Sequence, residues 1–181
     1  MTIREYLSRM KGGATSPPRV AFSEVLWAFV GSGLAIWVCG YLSARYFESR
    51  DLTLMVGSLG ASAAFVFGAV RSPFAQPRNL VGGHIVSGLV GVACFQLFDG
   101  TSWPAAALAV SFASAAMLAT KTMHPPGGAT ALIAVIGGPK VHALGFLYPF
   151  LPAGLGAVIL LAVALLINNL SRNRSYPAYW F

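Results

Sequence analysis

Charge is scarce in this chain. Only 9% of its 181 residues are Asp, Glu, Lys or Arg, and just five of those are acidic. Asp51 and Asp99 flank apolar stretches and Glu24 stands near the start of the first, so no pair of carboxylates is spaced for general acid/base work. Cysteine is nearly absent too. Cys39 and Cys94 each lie inside an apolar stretch without a partner at metal spacing, which reads as packing and leaves the redox compartment open. Three histidines without a His-Glu-x-x-His pattern, a cysteine pair or an acidic neighbour exclude a recognisable metal motif. A Gly-x-x-x-x-Gly-Lys-Ser/Thr loop is missing as well, so pumping driven directly by bound ATP is not written in these residues. Residues 1–19 mix Arg4, Arg9, Lys11 and Arg19 with Gly12-Gly13 and Pro17-Pro18, and hold no long apolar run before a small-residue cleavage site. They do not read as a secretory signal.

What fills the chain is hydrophobic: 56% of residues, with a mean hydropathy of +0.70. That composition describes a small polytopic membrane protein of one domain, all-α in class, and excludes an ordinary soluble domain. The net charge of +7 forms no dense basic tract, so it is read as loop charge that sets topology, with no nucleic-acid partner. Six apolar segments are expected, at Ala21–Leu42, Leu52–Val70, Val81–Phe98, Ala105–Thr120, Pro125–Gly138 and Leu144–Ile167. They make a transmembrane domain over 21–170, between an N-terminal segment 1–20 and a tail 171–181.

If all six cross and the N-terminus is cytoplasmic, nine basic residues (Arg4, Arg9, Lys11, Arg19, Arg71, Arg78, Lys121, Arg172, Arg174) fall inside and three (Arg45, Arg50, Lys140) outside. With a re-entrant fifth segment the ratio becomes eight to four. Six crossings, with both termini cytoplasmic in a bacterial inner membrane, is the preferred expectation. Trp27, Trp37, Tyr41, Trp103, Tyr148, Tyr176, Tyr179 and Trp180 include several near segment ends, where amphipathic rings settle among headgroups.

The stretch His124-Pro125-Pro126-Gly127-Gly128-Ala129-Thr130 interrupts this apolar text. Proline belongs in a first helical turn, so a helix is predicted from Pro125 to the stop at Gly137-Gly138-Pro139. At about 21 Å it is too short for a core of about 30 Å, and its N-terminus falls inside the membrane, where free N–H groups and the helix dipole favour an anion. Gly60-Ala61-Ser62-Ala63 aligns with Gly128-Ala129-Thr130-Ala131, each near the start of the second segment in a triplet. Three plus three segments would make an inverted repeat with two short half-helices. Small residues also recur in membrane helices simply because they let backbones approach.

The candidate substrate-binding residues are therefore Ser58, Gly60, Ser62, His124, Gly127, Gly128 and Thr130, around a midplane site at both half-helix N-termini. Arg78, His84 and Lys121 are candidates for a pore or vestibule. Each has a plainer reading: Arg78 meets lipid phosphate, Lys121 snorkels, His84 bonds a carbonyl, His124 caps its own helix, and Ser or Thr bonds the carbonyl four residues back. Asn79 reads best as a helix cap, and His142 as a loop residue. The face Gly82-Gly83, Ser87 and Gly91 can pack closely within one protomer or against another, so a homo-oligomer, dimer or trimer, is expected.

The runs Gly57-Ser58-Leu59-Gly60-Ala61, Ser72-Pro73-Phe74-Ala75-Gln76-Pro77-Arg78-Asn79-Leu80-Val81-Gly82-Gly83-His84, His124 to Leu132, and Tyr176-Pro177-Ala178-Tyr179-Trp180 resemble the HPP family of integral membrane proteins. The resemblance extends from about Gly57 to Trp180. It implies a membrane protein, and plant-plastid and cyanobacterial members of that family are associated with nitrite transport. The family is described with four membrane helices, against the six segments counted here. Transport of a small monovalent anion, nitrite first, without enzyme activity, cofactor or metal, is the leading expectation. The other is a non-transporting assembly factor or a histidine-dependent intramembrane enzyme.

Overall fold

The computed structural model describes residues 1–47, 56–98 and 100–181, and they contain helices and no strand. The beginning of the segment expected from Leu52, and Arg50, Asp51 and Asp99, lie outside the described residues. The helices are α1 (Ile3–Arg9), α2 (Phe22–Leu42), α3 (Gly57–Gly68), α4 (Pro77–Leu97), α5 (Trp103–Ala119), α6 (Pro125–Ile136), α7 (Pro139–Leu144) and α8 (Leu155–Ile167). Proline sits in the first turn of α4, α5, α6 and α7, where its missing N–H costs nothing.

Among the described residues, three runs are long and apolar enough to cross a membrane: Phe22–Phe47, Pro77–Leu97 and Pro149–Leu170. A fourth is broken, Pro125–Ile136 followed by Pro139–Leu147 with a 96° bend between them. The remaining apolar helices, Gly57–Gly68 and Trp103–Ala119, are shorter. Twelve residues make α3 and α6 about 18 Å long each, well short of a hydrocarbon core of about 30 Å. Three long runs, one bent pair and two shorter apolar helices thus make up the described bundle.

The packing alternates. Gly83, Ser87 and Gly91 of α4 recur every four residues and face His124, Gly127 and Ala131 of α6 in the same order, so these two helices run parallel. The approach is close enough that a Cβ on Gly91 would stand 2.6 Å from the Ala131 carbonyl oxygen. Ser62 of α3 meets the His124 end of α6 while Gly57 lies against Ile133, so α3 runs antiparallel to both. Helix α8 follows α3, with Gly156 beside Leu59 and Asn168 Nδ2 donating to the Val66 carbonyl. At one end, Arg174 of the tail joins Glu24 at the start of α2 and the Phe67 carbonyl at the end of α3. The starts of α2, α4 and α6 and the ends of α3 and α8 therefore share that end of the bundle.

Several expectations need correction. The segment expected as continuous over Leu144–Ile167 is divided: Gly145 takes φ +49°, and Pro149 and Pro152 bracket a non-helical Leu151 before α8 begins. His142 lies on α7, where its ring stacks on Phe95 at 4.0 Å, and not in a loop. Tyr148 is fully buried and Tyr176 nearly so, and each phenol donates to a carbonyl inside the protein: Tyr148 to Thr130, Tyr176 to Ala75. The face of Gly83, Ser87 and Gly91 is filled by α6 of the same chain, the within-protomer packing that its small residues allowed.

This alternation leaves residues 1–21 and 171–181 at the same end, opposite the α6–α7 bend. With Cys39 and Cys94 replaced by alanine, single cysteines at Thr15 and Ser175 should label from one side of sealed vesicles and a cysteine at Lys140 from the other. Labelling of Thr15 and Ser175 from different sides would refute the six-segment path.

Candidate functional site

At the centre of α3, α4 and α6 the sequence has put hydroxyls and imidazoles where hydrocarbon would otherwise pack. In such a place every polar group must find a protein partner, because water is not at hand to supply one. Ser62, His84, His124 and Thr130 are all completely buried. Ser62 Oγ lies 2.8 Å from His84 Nε2 and 2.9 Å from His124 Nε2. His84 Nδ1 lies 2.7 Å from Thr130 Oγ1, and His124 Nδ1 lies 2.8 Å from the Phe74 carbonyl oxygen.

A carbonyl can only accept, and this fixes the direction of the whole chain. His124 must carry its proton on Nδ1 and donate it to Phe74, which makes Nε2 of the neutral ring an acceptor. Ser62 then donates to His124, His84 Nε2–H donates to Ser62, and Thr130 donates to His84 Nδ1. Both rings are neutral and every hydrogen has an acceptor.

One further proton can be accommodated. Ser62 also lies 3.0 Å from the Ser58 carbonyl. If His124 Nε2 gains a proton and donates to Ser62, the serine hydroxyl turns to Ser58 and accepts from both imidazoles. The oxygen has two lone pairs for the purpose. A proton placed on His84 is matched instead by Thr130 turning toward the Pro126 carbonyl, at 3.5 Å. The cluster can thus hold one extra proton on either ring, at His124 Nε2 or at His84 Nδ1, without orphaning a group.

Second contacts hold the rings in place. Gly83 lets His124 lie directly on α4, since a Cβ there would stand 2.9 Å from the Thr122 carbonyl and closer still to the His124 side chain. Asn79 is not the cap of α4; Gln76 holds that position, and Asn79 Nδ2 donates to the Met123 carbonyl at 2.8 Å, fixing the chain just before His124. Nor does the His124 side chain cap α6. Phe74 is held by a clasp from the tail: Tyr176 donates to Ala75, Tyr179 to Pro73, and the Ala178 N–H to Gln76 Oε1, at 2.8, 2.9 and 2.7 Å. Burial raises the Tyr176 phenol above its usual range, which keeps it a donor.

The other candidates fall elsewhere. Ser58 is completely buried in the first turn of α3, and its Oγ has no hydrogen-bond partner. Gly60 lies on the exposed side of α3, two residues round the helix from Ser58 and Ser62. Gly127 is packed tightly against Met117 and Ser87, whereas Gly128 has only Val110 near it, at 3.9 Å. Arg78 places its guanidinium 6.0 Å from the Tyr179 ring centre, and Lys121 is exposed. Neither basic group reaches the histidines. Because α3 and α6 are antiparallel and overlap sideways, the start of α3 faces Ile133 near the end of α6. Their N-termini pass each other and do not converge on one midplane point, while the aligned hydroxyls Ser62 and Thr130 do meet, on the two nitrogens of His84.

Sequence reasoning did not find the Phe74 carbonyl, Tyr148 or the tail clasp. Arg174 was counted only as loop charge, yet it is buried and donates to Glu24, Phe67 and Asn168.

A bundle of apolar helices enclosing a dry histidine and hydroxyl chain defines a polytopic integral membrane protein. The chain belongs to the HPP family: the model of its transmembrane region matches residues 17–177. A transmembrane protein of Dictyostelium discoideum is 42% identical over 98% of this chain and 58% of its own length. A second transmembrane protein of that organism is 38% identical over the whole chain and 65% of its own. The chain therefore spans less than two thirds of the length of either relative. No solved structure matches it. These relatives are eukaryotic, so they carry membrane integration and give no support to a bacterial inner membrane.

Removing the Ser62 hydroxyl orphans the facing nitrogens of both histidines, and each unsatisfied buried group costs about 1–3 kcal/mol. Ser62→Ala should therefore lower the unfolding midpoint in detergent clearly, and Ser111→Ala, on the exposed face of α5, should not. Equal midpoints for the two variants would mean that the chain of hydrogen bonds contributes nothing to the native bundle.

Proposed function

We propose that this protein moves a small monovalent anion across its membrane together with a proton, and that the anion is nitrite. The observation that carries the reading is the closed chain from Thr130 through His84, Ser62 and His124 to Phe74, which is satisfied both with and without an extra proton. Ionisable residues in membrane helices are costly, and proton relays are a principal reason for keeping them. Nitrite comes from the family resemblance and from chemistry: it is small, weakly basic, and can be held by hydroxyls and backbone N–H groups without a fixed countercharge.

In this reading Ser58, whose buried hydroxyl has no partner, meets the anion at the first turn of α3. Gly128, which has only Val110 near it, leaves room for the anion beside the first turn of α6 on the other side of the cluster. The end carrying Arg19, Arg71, Arg78, Lys121, Arg172 and Arg174 faces the cytoplasm, following the bias of basic loops.

A second reading rests on the same Ser62–His124 bond. A hydroxyl donating to an imidazole that is oriented by an acceptor on its other nitrogen is the arrangement of an activated serine nucleophile. The two readings part on reactivity: an intramembrane hydrolase would be labelled at Ser62 by a fluorophosphonate, and a transporter with a packed relay would not.

Nitrite uptake into proteoliposomes, corrected for the nitrous acid that crosses protein-free vesicles unaided, should accelerate as the outer pH falls. His124→Gln keeps a polar group but cannot take up a proton, and should abolish the acid-stimulated part; Thr130→Val should slow it. Wild-type rates and pH profiles in both variants, at equal reconstitution, would remove the cluster from transport.

A further inference from the structure

At the end of the bundle where the tail meets α2 lies a cavity of about 450 Å³. Ser23 and Glu24 of α2, Arg71 and Ser72 after α3, and Arg174 of the tail line it. Glu24 does not make it acidic, because its carboxylate is bound by Arg174 Nε at 3.0 Å and its backbone carbonyl by Nη2 at 2.9 Å. The negative end of α3 is covered as well, since Arg174 Nη1 donates to the Phe67 carbonyl. That leaves Arg71 as the uncompensated charge. One of its N–H groups donates to the Asn173 carbonyl at 3.2 Å, which holds the guanidinium at the cavity wall. Ser72 Oγ accepts from the Phe74 N–H and keeps its own hydrogen to donate.

Size separates this cavity from the transport path. At roughly fifteen times the ~30 Å³ that one water occupies in the liquid, it is far too roomy to select a triatomic ion. It also does not stop at polar residues. Ser23 belongs at once to the cavity and to an apolar groove of about 280 Å³ that continues along α2 past Leu26, Trp27 and Val30, one helical face at i, i+3, i+4 and i+7. A cationic polar chamber at the end of a membrane helix, opening onto an apolar track along that helix, has the chemistry of a headgroup joined to an acyl chain.

We infer that this is a phospholipid site: the phosphate of an anionic lipid is held by Arg71 beside the Arg174–Glu24 pair, and an acyl chain lies along Leu26, Trp27 and Val30. The lipid joins α2, which packs much of its surface outward, to the end of α3 and to the tail, and it does so whether or not the histidine chain carries protons.

The test uses the full-length protein, delipidated in mild detergent and followed by native mass spectrometry and by its unfolding midpoint. Phosphatidylglycerol should remain bound as one adduct and raise the midpoint, about fivefold tighter than phosphatidylcholine, the discrimination expected of one interfacial arginine. Arg71→Gln, at an exposed side chain, should bring phosphatidylglycerol down to the level of phosphatidylcholine. Val30→Trp should fill the groove and weaken both lipids. Inorganic phosphate, tested alone, should neither compete nor stabilise. Equal retention of the two lipids by wild type and by Arg71→Gln would overturn the site, and stabilisation by inorganic phosphate that Val30→Trp leaves intact would replace the lipid with a free phosphate ligand.

Discussion

A polar group buried among membrane helices has no solvent to fall back on, and here that constraint is resolved at one atom. The Phe74 carbonyl can only accept, so it imposes a tautomer on His124; His124 imposes a direction on Ser62, Ser62 on His84, and His84 on Thr130. Four side chains on three helices thereby share one polarity. The fold is arranged around this: parallel α4 and α6 meet across Gly83, Ser87 and Gly91, and antiparallel α3 brings Ser62 between the two rings. Helix α6 is the common neighbour of α3 and α4, and the glycine face of α4 lets it approach α6 closely.

Much of this was legible from the residues, for reasons that are local. Pro125-Pro126 and Gly137-Gly138-Pro139 bound α6 because proline acts at the first turn and glycine beyond the last, and the structure gives Pro125–Ile136. The alignment of Ser62 with Thr130 foretold two hydroxyls in equivalent places, and they flank His84. What was not legible depends on tertiary approach. Two short helices were expected to aim their N-termini at one point; whether half-helices meet head-on or slide past each other is decided by how α3 and α6 pack sideways on each other, which no local pattern encodes. Asn79 looked like a cap because its type prefers caps, and it was diverted by Met123, forty-four residues away. The partner of His124 was illegible in principle, since a backbone carbonyl has no signature in the amino-acid code.

Charge shows the same division. Counting basic residues by loop separates the ends of the bundle, since that rule needs only position along the chain. It says nothing of Arg174, whose guanidinium turns inward to bind α2, α3 and the end of α8. One arginine at a loop position serves as a bolt, and its neighbour Arg172 remains exposed.

The clasp on the Phe74 connector has a consequence for biogenesis. Residues 73, 75 and 76 are gripped by residues 176, 178 and 179, so the acceptor that orders the central chain is secured in part by residues about a hundred positions downstream. On the ribosome, α3, α4 and α6 would be inserted before that grip exists. The tail's hydrogen bonds are therefore the last part of that support to be synthesised, and the setting of His124 is finished at the outer edge of the bundle and not at its buried centre.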